Sequence, residues 1–207
     1  MINRSYLHKN CFIEFFANEF YHIYNRGNNK QKIFFIPGNY IYFLKKIRRY
    51  IMPYCDIIAY CLMPNHFHLL IHSDQRTVST KSIGGKEKNI LSEGIKNLLS
   101  SYTQAINKQN GSTGSLFQQN TKATSIVKGS ENYDLICFHY IHQNPLTAKL
   151  AKRMEDWPYS SFSDYCGFRN GTLCHKESAI QLLDLNIKSF YKDSYKMIGI
   201  NDIKNIL

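Results

Sequence analysis

Tyr60-Cys61-Leu62-Met63-Pro64-Asn65-His66-Phe67-His68-Leu69-Leu70-Ile71-His72 reads as two apolar runs broken by Met63-Pro64-Asn65. Runs of that kind around a Pro-Asn pair form a hairpin: a strand, a turn, a second strand. After the turn, His66, Phe67 and His68 alternate. Side chains two apart on a strand share a face, so His66 and His68 point one way and Phe67, Leu69 and Ile71 the other. Two imidazoles side by side supply half the ligands of a divalent-metal site. A half-buried strand with two hydrogen-bonded histidines has the same spacing. The metal reading therefore depends on what else the chain brings to that face.

The chain has 207 residues, a length that favours one domain with an appendage over two full domains. Hydrophobic residues make up 43% and aromatic residues 14%, enough for a sizeable core. The net charge of +11 and pI near 9.3 favour an anionic partner, nucleic acid or a membrane surface. No run of 18 apolar residues occurs, so no helix is expected to span a bilayer. The first ten residues carry no secretory apolar core. Cys11, Cys55, Cys61, Cys137, Cys166 and Cys174 show no CxxC spacing, and several sit in apolar runs as buried free thiols do. A reduced, cytoplasmic protein is expected.

Outward from the hairpin, the order of elements is legible. Phe20–Arg26 alternates as a strand, with His22, Tyr24 and Arg26 on one face. A helix over 40–52, capped by Asn39, stops at Pro53. It carries Lys45, Lys46, Arg48 and Arg49, either a solvated face or a phosphate-contact surface. The hairpin strands cover 55–63 and 66–72, and 73–89 reads as a mobile loop. A helix follows over 90–108, then a Gly-rich turn, a strand over 116–128, and a helix over 131–144 ended by Pro145. The first six elements match βαββαβ. That pattern predicts an α+β, ferredoxin-like (RRM-like) antiparallel sheet with helices on one face and the His strand central. Its histidine face would be open, as in modules that bind single strands there.

The helix over 131–144 completes the picture. Tyr133, Ile136, Cys137, Tyr140 and Asn144 fall in one stripe, with Tyr140 and Asn144 one turn apart. An amphipathic helix with a core tyrosine would look alike. The functional reading is a tyrosine nucleophile with an amide oxygen one turn on, both aimed at His66 and His68. A phenol ionises only near pH 10 and needs help as a nucleophile. A bound Mg²⁺ or Mn²⁺ supplies it by polarising and orienting a scissile phosphate. His66, His68 and Asn144 are then the metal ligands. Tyr102 is the competing nucleophile. His142, well off the stripe, is expected to face solvent or DNA. Arg26, Lys45, Lys46, Arg48 and Arg49 are the candidate DNA contacts, on charge and position alone.

Met63-Pro64-Asn65-His66-Phe67-His68-Leu69-Leu70 resembles the His-hydrophobic-His motif of single-tyrosine HUH transposases. Tyr140-Ile141-His142-Gln143-Asn144-Pro145 resembles their nucleophile helix, with Asn144 where the insertion-sequence branch usually has Gln. Tyr21-His22-Ile23-Tyr24-Asn25-Arg26-Gly27-Asn28, Ser115-Leu116-Phe117-Gln118 and Asp156-Trp157-Pro158-Tyr159-Ser160-Ser161-Phe162 resemble flanking signatures of the REP-associated branch. The likeness covers about residues 18–165. It implies metal-dependent nicking and strand transfer of single-stranded or hairpin DNA through a 5′-phosphotyrosine, without ATP. It implies a catalytic domain over 1–165, acting as a monomer or homodimer. Residues 166–207 match no known pattern and read as a helical extension packed through Ile180, Leu182, Leu183, Leu185, Ile187 and Phe190. The alternative is a non-catalytic, domesticated module that binds single-stranded or hairpin nucleic acid.

Overall fold

The computed structural model describes residues 14–126, 132–196 and 198. Strand β1 (Phe20–Arg26) leads to helix α1 (Pro37–Tyr50), then the hairpin β2 (Asp56–Met63) and β3 (His66–His72). A short helix α2 (Gln75–Val78) and a two-stranded ribbon, β4 (Thr80–Ile83) and β5 (Lys86–Asn89), precede helix α3 (Ile90–Asn110). Strand β6 (Lys122–Ile126) and helix α4 (Tyr133–Thr147) follow. The remainder holds the short helices α5 (Phe162–Tyr165), α6 (Lys176–Leu182) and α7 (Phe190–Ser194).

The main sheet has the order β2-β3-β1-β6, antiparallel throughout, with β3 and β1 central. This is the ferredoxin-like arrangement the element order predicts. In register, Tyr24 lies opposite His68 and Arg26 opposite His66, while Cys61 and Met63 flank the two histidines from β2. The opposite face carries Phe67, Leu69, Ile71 and Ile23, all buried under α1 and α3. Phe43 of α1 packs on Phe67 at 5.1 Å and on Tyr102 of α3 at 4.9 Å between ring centroids. Gly94 lets α3 close on α1, because a Cβ there would collide with the Tyr50 carbonyl.

Several expectations need correction. The histidine face is not open: α4 lies across it, so both faces of the sheet are covered. Helix α1 starts before Asn39, whose Oδ1 reaches back from inside the first turn to accept from the Phe35 and Ile36 amides at 3.0 and 3.2 Å. The segment 73–89 is not a loop. Asp74 caps α2, accepting from the Arg76 amide at 2.7 Å, and the ribbon turns at Gly84-Gly85 with φ of +61° and +74°. Residues 116–121 are not strand, although Leu116 and Phe117 are buried and Phe117 bridges to Gly27. Of the residues expected in strand 116–128 and helix 131–144, 127, 128 and 131 lie outside the described residues. Helix α4 continues past Asn144, with Pro145 buried in its last turn. Proline there loses its bond to the Ile141 carbonyl and crowds that oxygen, and burial of its ring offsets the cost.

Tertiary contacts close the edges. Residues 159–161 run along β2, with the Leu62 amide donating to the Tyr159 carbonyl at 2.9 Å and the Ser161 amide to the Tyr60 carbonyl at 3.0 Å. That covers a sheet edge that would otherwise be free to pair. The extension joins the same core. The His175 amide donates to the Ile57 carbonyl at 2.8 Å, and Phe190 packs on Phe138 of α4 at 5.8 Å. Among the described residues no helix is long and apolar enough to cross a membrane.

Candidate active site

The β2–β3 turn anchors the site. The Pro64 carbonyl accepts from the amides of Ile33 and Phe34, and the Asn65 carbonyl accepts from Gly27. The Asn65 side chain is oriented as well: its Nδ2 donates to the Lys30 carbonyl at 3.2 Å, which leaves Oδ1 2.6 Å from His66 Nδ1. His66 and His68 stand edge to face with centroids 4.9 Å apart, as the alternation predicts. His66 is half-buried. His68 is 4% exposed, and its Nε2 is a buried polar atom with no hydrogen-bond partner. Burial is the main cause that holds both imidazoles below their ordinary pKa, His66 at about 4 and His68 well below the usual value. Arg26, across the ladder, adds to both shifts. Both rings are therefore neutral at pH 7, the form in which imidazole binds a metal.

Helix α4 brings Tyr140 to this pair. Its ring meets His68 edge-on at 5.7 Å and His22 at 6.2 Å. Asn144, one turn on, donates from Nδ2 to the Tyr140 carbonyl at 2.8 Å. The Asn144 side chain also interacts with the His66 imidazole and the Tyr140 phenol. The structure thus gathers His66, His68, Tyr140 and Asn144, with Arg26 exposed beside them. Burial, the largest effect, raises the Tyr140 phenol above its ordinary pKa, and Asn144 opposes that rise.

Lys45, Lys46, Arg48 and Arg49 are not gathered there. They lie on α1, on the far side of the sheet from Tyr140. Arg48 donates to the Thr172 carbonyl at 3.1 Å and to its hydroxyl at 2.8 Å, Lys46 sits over the Tyr42 and Tyr50 rings, and Arg49 over Tyr50. Tyr102 is fully buried in that same far layer, its hydroxyl donating to the Ile33 carbonyl at 2.7 Å. His142 faces neither solvent nor DNA. It is fully buried, Nε2 2.7 Å from Ser161 Oγ, among Phe138, Phe162, Tyr165 and Phe190. The helical wheel puts it opposite the sheet, where the chain after residue 160 supplies a second wall.

The site includes one residue whose role sequence reasoning missed. His22, fully buried on β1, places Nε2 2.8 Å from His68 Nδ1. Its alternation with Tyr24 and Arg26 was the available signal, but only the β1–β3 register says which histidine it meets. Among the described residues no group of three or more His, Cys, Asp or Glu side chains is arranged to hold a metal ion. The donors that fit a hard divalent cation are two imidazoles and the Asn144 amide, and the unpartnered Nε2 of His68 is suited to one.

The fold has a solved counterpart. The chain is similar in structure to a REP-associated tyrosine transposase bound to a REP hairpin, with a TM-score of 0.55 and 15% sequence identity, covering 78% of this chain and 86% of that one. No family model and no curated protein matches the sequence. At that identity the likeness establishes the fold alone.

Proposed function

We propose that this protein nicks and rejoins single-stranded or hairpin DNA, with Tyr140 as nucleophile and His66, His68 and Asn144 as ligands of Mg²⁺ or Mn²⁺. The observation that carries the reading is the meeting of Tyr140 and Asn144, from one helix, with the two histidines of β3. The bound cation would polarise the scissile phosphate and neutralise its charge. The residues do the rest. Asn144 holds the phenol beside the histidine pair, and Arg26 offers positive charge to the incoming backbone. Tyr140 Oη attacks phosphorus as the P–O3′ bond breaks; the phenolic proton leaves to solvent and the 3′ oxygen takes one up. The phosphate stays on Tyr140 as a 5′-phosphotyrosine ester, which preserves the bond energy for rejoining by the reverse step. The structural neighbour, a tyrosine transposase bound to a REP hairpin, and the net charge of +11 support the choice of substrate.

The test is incubation of the protein with labelled hairpin DNA from the flanks of its own gene, in Mn²⁺ or in EDTA. An SDS-resistant adduct is expected in Mn²⁺, absent in EDTA and absent in Tyr140→Phe, which should still bind. An adduct that survives in Tyr140→Phe overturns the nucleophile. Binding without any adduct overturns catalysis and leaves a hairpin-binding module.

A further inference from the structure

The two histidines of the site are each engaged through Nδ1. A neutral imidazole has one N–H and one lone pair, and the partner of one nitrogen decides the state of the other. For His66 the partner is an amide oxygen. The Asn65 amide is oriented by its donation to the Lys30 carbonyl, so Oδ1 faces His66 Nδ1 and can only accept. The 2.6 Å contact places the His66 proton on Nδ1, which leaves Nε2 a lone pair to share a cation with the Asn144 side chain, the ring's other polar neighbour. For His68 the partner is His22, ring against ring, with Nε2 of one 2.8 Å from Nδ1 of the other and both side chains buried. One proton lies between them. If His68 supplies it, His68 Nε2 is a lone pair like that of His66. If His22 supplies it, His68 Nε2 becomes a buried N–H with no acceptor. The Nδ1-protonated state of His68 makes the two histidines alike and leaves the unpartnered atom ready to receive a cation.

We infer that His22 and Asn65 are positioning residues that hold His68 and His66 as Nδ1–H tautomers, so that both Nε2 lone pairs are presented together beside Tyr140. The inference rests on the metal-site reading above and gives two residues outside the ligand set a defined task. His22 itself is not a third ligand, because its Nε2 is engaged with His68. It accepts there, and so is protonated on Nδ1. Groups that orient a metal-binding histidine in this way typically contribute 10- to 100-fold in metal affinity.

Long-range ¹H–¹⁵N correlation spectra of the metal-free protein read imidazole tautomers directly, with no DNA and no metal. His66 and His68 are expected as Nδ1–H tautomers in the parent protein. A His68 found protonated on Nε2 overturns the inference. His22→Phe keeps the ring volume and removes the acceptor, and His22→Gln restores an acceptor oxygen. Calorimetric titration with Mn²⁺ is expected to show about 10- to 100-fold weaker binding in His22→Phe and substantial recovery in His22→Gln. Parent-like Mn²⁺ affinity in a folded His22→Phe variant overturns the role of His22. Asn65→Ala, at the half-exposed turn, gives the same comparison for His66 should His22→Phe not fold. A parent protein with the expected tautomers that binds no Mn²⁺ would overturn the metal-site reading while the tautomer assignment stands.

Discussion

Asn144 has three tasks at one position: it donates to the Tyr140 carbonyl, faces the His66 imidazole, and meets the Tyr140 phenol. Its replacement by Ala removes the proposed metal donor and the polar contact that opposes the raised phenol pKa. Asn144→Ala is expected to lower the rate of adduct formation by at least about 10-fold while hairpin affinity in EDTA is unchanged. A quench-gel time course and a filter-binding assay separate the two quantities. A different histidine reports on stability. His139, on the outer side of α4, bonds Ser194 Oγ at 3.0 Å, and its pKa falls to about 4. Burial is the main cause; Lys196 lowers it further and Asp193 opposes. The unfolded chain binds that proton near pH 6.5, the folded protein only near 4. Its contribution is therefore complete above about pH 6.5 and is lost as pH falls toward 4, by at most about 1.4 kcal/mol per pH unit. Urea unfolding across that window should show a shallower slope in His139→Gln, which keeps a polar group near Ser194.

Helix α4 is the element on which the site depends, and it is held from two sides. The sheet lies on one side, where Tyr140 meets His68 and His22. On the other side Gln143 Nε2 donates to the carbonyls of Ser194 and Lys196 at 2.8 and 2.6 Å, and Phe190 of α7 packs among Phe138, Phe162 and Tyr165. The described part of the C-terminal extension therefore buttresses the tyrosine helix. Phe190 is 2% exposed. Phe190→Ala should destabilise the protein by about 3–5 kcal/mol, read as a fall in the urea midpoint. Cleavage is expected to suffer more than binding, because loss of the outer wall frees α4 to move Tyr140 away from the β3 pair. Equal loss of both would mean that the extension supports the fold without holding α4.

Charge acts at the scale of the molecule. Residues 1–60 carry 9 Lys and Arg against 3 Asp and Glu, and most of that excess is on α1, behind the sheet. Arg26 alone of the five candidate contacts stands beside Tyr140. If a short single strand binds over Tyr140, Arg26→Ala should lower the salt slope of its binding by about 0.7, the value for one lost phosphate contact. Replacing Lys45, Lys46, Arg48 and Arg49 together by Gln should leave that short strand unaffected. The same change should flatten the slope for a hairpin long enough to pass round the sheet edge. Fluorescence anisotropy over a salt series measures each slope. An unchanged hairpin slope would leave the α1 run as a solvated face.

Local periodicity determined a good deal here. The alternation His66-Phe67-His68 after a Pro-Asn turn placed two imidazoles on one side of β3, and the order of apolar segments determined the ferredoxin-like sheet. These follow from backbone geometry, in which neighbours along the chain settle who shares a face. The ribbon at 80–89 escaped notice because its alternating residues are all polar or charged except Ile83, so the hydrophobic period was silent; Gly84-Gly85 was the one legible sign. Tertiary structure decided the rest. Which face of α4 meets solvent is not a property of α4, since the chain beyond residue 160 buries His142 on the side the helical wheel leaves outside. That His22 meets His68 depends on strand register between segments 46 residues apart. Such contacts form only when distant segments pack together, and no local pattern in either segment encodes them.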